Sequence, residues 1–197
     1  MTGSGPLRAL LEQLEDRLRA FGAPVVDAFR PGAPLEQVRA AIAAEGLSAH
    51  DDLVTWWGWH DGSDAGGVAA DYSGPGIYFR PENTLVGPWH VISLDDALRI
   101  RRWWRSTAPQ LVPEDWLPVL QFEGTPVLCA DDAAELHILD EGFPEPPPPQ
   151  FGSLAEFVAA VIRLFDEGLV VPHPEDERVP WFDAASLEGD LRRLCFW

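Results

Sequence analysis

Lysine is absent from the chain. Its absence excludes a Schiff-base lysine and the lysine of a Walker A phosphate loop. The sequence also lacks a Gly-x-Ser-x-Gly elbow, so an α/β-hydrolase reading has no support. No His-Glu-x-x-His and no Cys-x-x-Cys is present, which removes the usual zinc spacings. Two cysteines, Cys129 and Cys195, are too few for a disulfide framework. No apolar run approaches the roughly 18 residues of a membrane span. No basic stretch followed by an apolar one marks a leader at the start. The expectation from these absences is a reduced, cytoplasmic protein.

Positive charge is scarce. Fourteen arginines oppose 32 aspartates and glutamates, a formal net charge of -18. A nucleic-acid binder needs the opposite sign, and an anionic membrane surface repels such a chain. A basic protein partner is attracted and steered. The imbalance is concentrated in the second half, where no arginine stands between Ser106 and Ile162. Two readings stay open. The acids are a solvated surface, or they face something cationic.

What the chain does have is apolar surface, 46% of its residues, with nine tryptophans among them. That suffices for the core of one domain. Leu7, Leu10, Leu11, Leu14, Leu18 and Phe21 mark an N-terminal helix, and residues 23–33 read as a connector. A second helix runs from Pro34 to Gly46 with Leu35, Val38 and Ile42 inward. The next is expected to open at Ser48 as N-cap, to carry Leu53, Trp56, Trp57 and His60, and to stop at Asp61-Gly62. A Gly-rich acidic loop over 61–76 follows. Its Asp61, Asp64 and Asp71 match no calcium-loop spacing. Short strands are expected at Ile77–Phe79, Thr84–Val86 and His90–Ile92.

Ser93 and Asp96 form a capping-box pattern before a helix carrying Trp103, Trp104 and four arginines. Those arginines are expected to pair with local acids. Trp116–Phe122, Val127–Ala130 and Leu136–Leu139 read as an antiparallel meander. Glu123-Gly124-Thr125 and Asp131-Asp132 supply its turns. Pro118 calls for a sheet margin or a bulge. Pro144–Pro149 is a surface linker. Ser153 and Glu156 cap a helix with Leu154, Phe157, Val158, Val161, Ile162 and Phe165 on one face, closed by Gly168. The last segment, 169–197, is expected to fold back through Trp181-Phe182 and Cys195-Phe196-Trp197. The five histidines are dispersed. His60-Asp61 has no nucleophile beside it, and His137 lies in a strand as a structural residue. No catalytic residue, metal or cofactor is expected.

The order of these elements resembles the SUKH superfamily, in its branch named after a yeast cell-wall assembly regulator. Four places carry the resemblance. The helix Leu35–Glu45 is followed by Leu47 and a tryptophan helix ending in Trp59-His60-Asp61-Gly62. Leu94-Asp95-Asp96-Ala97 leads into the middle helix. Trp116-Leu117-Pro118-Val119 opens the meander, and Ser153-Leu154-Ala155-Glu156-Phe157 opens the last core helix. Ser48 stands where the family usually has proline, and Asp61 where it usually has asparagine. The resemblance covers about residues 34–168. Residues 1–33 and 169–197 flank it.

It implies an α+β domain with a largely antiparallel sheet backed by helices. It also implies a non-catalytic binding protein. Bacterial members are widely regarded as immunity proteins that occlude a toxin domain, often a basic nuclease. The alternative is a regulatory or scaffold domain binding endogenous proteins. The acids expected to meet the partner are Asp131, Asp132, Glu135, Asp140 and Glu141, with Asp61 and Asp64 from the Gly-rich loop.

Overall fold

A computed structural model describes residues 4–64, 81–82, 84–122, 126–140, 142 and 147–195. The expected strand Ile77–Phe79, the glycine run beyond Asp64, the Glu123–Thr125 turn, Glu141 and Phe196-Trp197 lie outside these residues.

Helix α1 (Ser4–Phe21) buries Leu7, Leu11, Leu14 and Leu18 along one stripe. It packs on α6 (Leu154–Asp166) and α4 (Asp51–Trp59). Phe21 meets Phe165 edge-on at 6.2 Å, and Arg17 reaches Asp166 at 2.8 Å. The expected connector 23–33 is more ordered than its prolines suggest. It forms a short helix, α2 (Pro24–Ala28), and a strand, β1 (Phe29–Pro31). Strand β1 pairs antiparallel with β2 (His60–Ser63). Strands of three and four residues carry little periodicity of their own, and their pairing joins distant parts of the chain.

This pairing also corrects the expected end of the tryptophan helix. Helix α4 stops at Trp59 because His60 turns extended (φ -144°, ψ 134°) to enter β2. Gly62 is therefore no helix cap. It lies inside β2 at φ +76°, where an added Cβ would stand 2.7 Å from the Ser93 nitrogen. The N-cap is His50 rather than Ser48, and no side chain caps it. Asp51, in the first turn, instead pairs with Arg39 of α3 (Leu35–Ala44) at 2.6 Å. Leu35 does not face inward. It is 52% exposed, lying across the notch left by Gly58 on α4.

The main sheet has the order β3-β4-β5-β6-β7, all antiparallel. Its strands are β3 (Thr84–Val86), β4 (Trp89–Val91), β5 (Leu117–Phe122), β6 (Val127–Ala130) and β7 (Leu136–Leu139). The expected meander is its second half. Pro118 is on the middle strand and not at a margin. Two features accommodate it. Strand β4 ends opposite Leu120, short of Pro118, and the β5–β6 ladder shifts register between Pro118 and Leu120. A proline in a central strand needs such a break, since it cannot donate to the ladder.

Helix α5 (Leu94–Thr107) opens on Ser93, whose hydroxyl accepts from the Asp96 N–H. It packs on β5, with buried Arg101 donating to the carbonyls of Trp116 and Glu114. Helix α6 opens on Ser153 in the same way. Its Phe157 meets Trp89 of β4 and Phe151 edge-on. Gly168, at φ +69°, ends the run after α6.

The open edge of β7 is covered by the end of the proline-rich stretch. Leu136 N–H donates to Phe151 O at 2.8 Å, and Gln150 N–H to Leu136 O at 2.7 Å. At the other edge, the hairpin of β8 (Val171–Pro172) and β9 (Pro180–Trp181) reaches Gly87 through Pro180 O. Phe182, Leu187, Leu191 and Leu194 are buried, and Trp89 Nε1 donates to Leu194 O. One apolar cluster therefore runs from Leu7 to Leu194. Among the described residues no helix is long and apolar enough to cross a membrane.

Candidate functional site

Arginine pairing decides where the surplus negative charge stands. On α5, Arg99 pairs with Asp96, Arg101 and Arg102 with Glu45, and Arg105 with Glu114. Arg8, Arg17, Arg19, Arg30, Arg39, Arg163, Arg178 and Arg193 are likewise each within reach of an acid. Arg192 is the exception among the described residues, and its Nε donates to Leu187 O. The expected pairing of the α5 arginines is thus observed. Asp115, Asp132 and Glu135 are left without an arginine partner among the described residues, side by side at the β6–β7 turn.

The turn is built by Asp131. Its Oδ1 accepts from the N–H groups of Ala133 and Glu135, at 2.8 and 2.9 Å. A short acid receiving backbone N–H groups a few residues on is standard turn chemistry. Ala134 takes φ 62° to complete it. The other oxygen of Asp131, Oδ2, lies 3.0 Å from His137 Nε2. The His137 ring stacks on Trp116 at 4.4 Å, and its Nδ1 lies 3.3 Å from Pro147 O. Its side chain is only 10% exposed. Asp132 is exposed and Glu135 half-buried. Asp115 approaches from the start of β5, where its Oδ2 accepts from Asp132 N–H at 3.4 Å. Ligand atoms of Asp131, Glu135 and His137 all lie within 4.8 Å of one another.

The seven acids expected at a partner surface do not form one patch. Asp131, Asp132 and Glu135 share the turn. Asp140 follows the far end of β7, about 17 Å of extended chain from Glu135, and holds Gly142 N–H. Glu141 lies outside the described residues. Asp64 is exposed at the end of β2. Asp61 is corrected from surface group to internal brace. Its Oδ2 pairs with Arg30, its Oδ1 accepts from Leu94 N–H at the start of α5, and its carbonyl accepts from Arg30 Nε. Asp131 is likewise taken up by the turn and by His137. Asp115 and His137 were missed as members of the site. The i, i+2 spacing of Glu135 and His137, which puts both on one face of a strand, was the available signal.

Two other polar groups are structural. Glu15 Oε2 accepts from Trp59 Nε1 at 3.0 Å and lies 3.2 Å from His60 Nε2, tying α1 to the end of α4. Burial pushes the Glu15 carboxyl up, but the hydrogen bonds from His60, Trp59 and Arg19 outweigh it and hold the group below its ordinary value. His90 is fully buried on β4 beside Thr84. Burial pushes its imidazole down to about 4.

The fold and this turn define an α+β domain with an antiparallel sheet, helices alongside, and a localised acidic hairpin. No protein-family model matches the sequence. A search of curated proteins finds no relative either.

Proposed function

We propose that the protein is a cytoplasmic binding module that acts by occluding a basic protein partner, without turnover. The face that meets the partner is the β6–β7 turn with Asp115, Asp132 and Glu135. The observation carrying this reading is the arginine accounting. Asp96, Glu45, Glu114, Glu167, Asp190 and Glu156 each hold an arginine, whereas Asp115, Asp132 and Glu135 hold none among the described residues. Unneutralised charge on a turn steers encounter and resists binding of like-charged surfaces. The resemblance to SUKH immunity proteins supports a basic toxin domain, such as a nuclease, as the partner.

The test uses a basic toxin encoded beside this protein. Its affinity for the wild-type chain and for an Asp115→Asn, Asp132→Asn double variant is measured across a salt titration. Each rim charge is worth roughly 0.5–1 kcal/mol at low salt. The double variant is therefore expected to bind about 5- to 30-fold more weakly, chiefly through slower association, with a shallower salt dependence. Equal affinity of the two proteins at every salt concentration refutes the electrostatic reading. Turnover of the toxin, in place of a one-to-one complex, refutes occlusion.

A further inference from the structure

At the foot of the β6–β7 turn, three acceptor atoms face one another. They belong to Asp131, Glu135 and His137, and lie within 4.8 Å of each other. The register places them together: Cys129 is opposite His137 and Ala130 opposite Leu136. Asp131 and Glu135 are then the next pair along, with His137 two residues from Glu135 on the same face. The Pro147 carbonyl, 3.3 Å from His137 Nδ1, can only accept. Asp131 Oδ2, 3.0 Å from Nε2, only accepts as well, so a neutral ring has one proton for two acceptors. With that proton on Nδ1, the Nε2 lone pair points at Asp131 Oδ2; with it on Nε2, the Nδ1 lone pair points at Pro147 O. The second oxygen of Asp131 already holds two backbone N–H groups. Lone pairs aimed at one another in a half-buried site repel unless a positive species stands between them.

Two species satisfy that geometry, a second ring proton or a metal cation. We propose that Asp131, Glu135 and His137 form a binding site for a divalent transition-metal ion of the zinc class. Three features favour the cation over the proton. First, a ring proton satisfies Asp131 and His137 only, whereas an ion also engages Glu135. Second, the supporting contacts are those of a metal-ligating histidine. Its outer nitrogen faces a backbone carbonyl, and Trp116 stacking sets the ring orientation. Third, Asp115 and Asp132 stand beside the site without arginine partners among the described residues, and raise the local cation concentration.

The donor set chooses the class of ion. One imidazole and two carboxylates suit zinc, cobalt or manganese, whereas calcium and magnesium demand six or more oxygens. Ligand bonds of about 2.0–2.2 Å set tetrahedral ligand atoms roughly 3.4 Å apart. The observed 3.0 Å between Asp131 and His137 needs a few tenths of an ångström of opening, and the wider separations in the set, up to 4.8 Å, need the Glu135 side chain to swing inward. Three protein ligands leave a fourth position for water or for a side chain of another molecule.

The experiment uses the full chain after chelator treatment, with no partner present, titrated with Co²⁺ in excess Mg²⁺. The expected result is one equivalent of saturable binding with the visible absorption of tetrahedral cobalt, bleached by Zn²⁺. Glu135→Gln is the deciding variant, because its side chain makes no hydrogen bond or ion pair among the described residues. It is expected to weaken cobalt binding about 10-fold or more, and His137→Asn to remove the cobalt spectrum. Asp132→Asn retains the spectrum. Absence of saturable binding, or equal affinity in wild type and Glu135→Gln, overturns the proposal. The readout is independent of any protein partner, so its failure leaves the occlusion reading standing, and the reverse holds as well.

Discussion

Leu14→Ala measures whether α1 belongs to the core or merely lies on it. Leu14 is fully buried on the face of α1 that packs against α4 and α6. Truncating a core leucine removes its transfer free energy and leaves a cavity the neighbours fill only in part. Together these cost about 3 kcal/mol. With a urea slope of roughly 2.5 kcal/mol/M for a chain of this size, the midpoint falls by about 1 M. The buried tryptophans, Trp56, Trp57, Trp89 and Trp104 among them, report the transition by fluorescence. The same reasoning extends to deleting residues 1–21. Leu7, Leu11, Leu14 and Leu18 are all buried, so at about 3 kcal/mol each the loss is ~12 kcal/mol. That equals the whole stability of an ordinary domain, roughly 5–15 kcal/mol. The shortened chain is expected to show no cooperative unfolding. A midpoint shift below about 0.3 M for Leu14→Ala, or a sharp transition in the shortened chain, refutes the claim that α1 is integral.

Other variants probe separate parts of the fold. His90 makes stability fall in acid. The unfolded chain takes up this proton near 6.5, and the folded chain only at about 4. The folded state therefore binds fewer protons in that window, and stability is lost as pH drops through it, by about 3 kcal/mol in total. Denaturation from pH 7 to 4 should show a shallower pH slope in His90→Asn than in wild type, and parallel slopes exclude His90 as the source. Ser153→Ala removes the hydroxyl that accepts from Glu156 N–H at the start of α6. It should cost about 1 kcal/mol in urea denaturation, and a change within error would show that the Gly152–Glu156 contact caps the helix alone.

Legibility followed the range of the interaction. The helix α6 was readable because its cap, its apolar stripe and its glycine stop all lie within a few residues of each other. The hairpins of the main sheet were readable for the same reason. The pairing of β1 with β2 was not, since residues 29–31 and 60–63 are separated in sequence by α3 and α4. That one long-range contact explains several departures together. It ends α4 at Trp59, places Gly62 in a strand, and turns Asp61 into a brace between Arg30 and α5. At the candidate site, the arginine-free run pointed to the turn. The particular set of Asp115, Asp131, Glu135 and His137 depended on β5 lying beside β6 and on Pro147 returning over β7.

Residue order alone determined the charge, the class of fold and the positions of the capped helices and hairpin turns. Each of these depends on neighbours in the chain or on composition. Tertiary structure decided which acids remain unneutralised, which are consumed as internal braces, and that one imidazole faces two carboxylates. Those outcomes depend on distances between groups far apart in sequence, and Coulomb and hydrogen-bond energies are set by such distances once the core has closed.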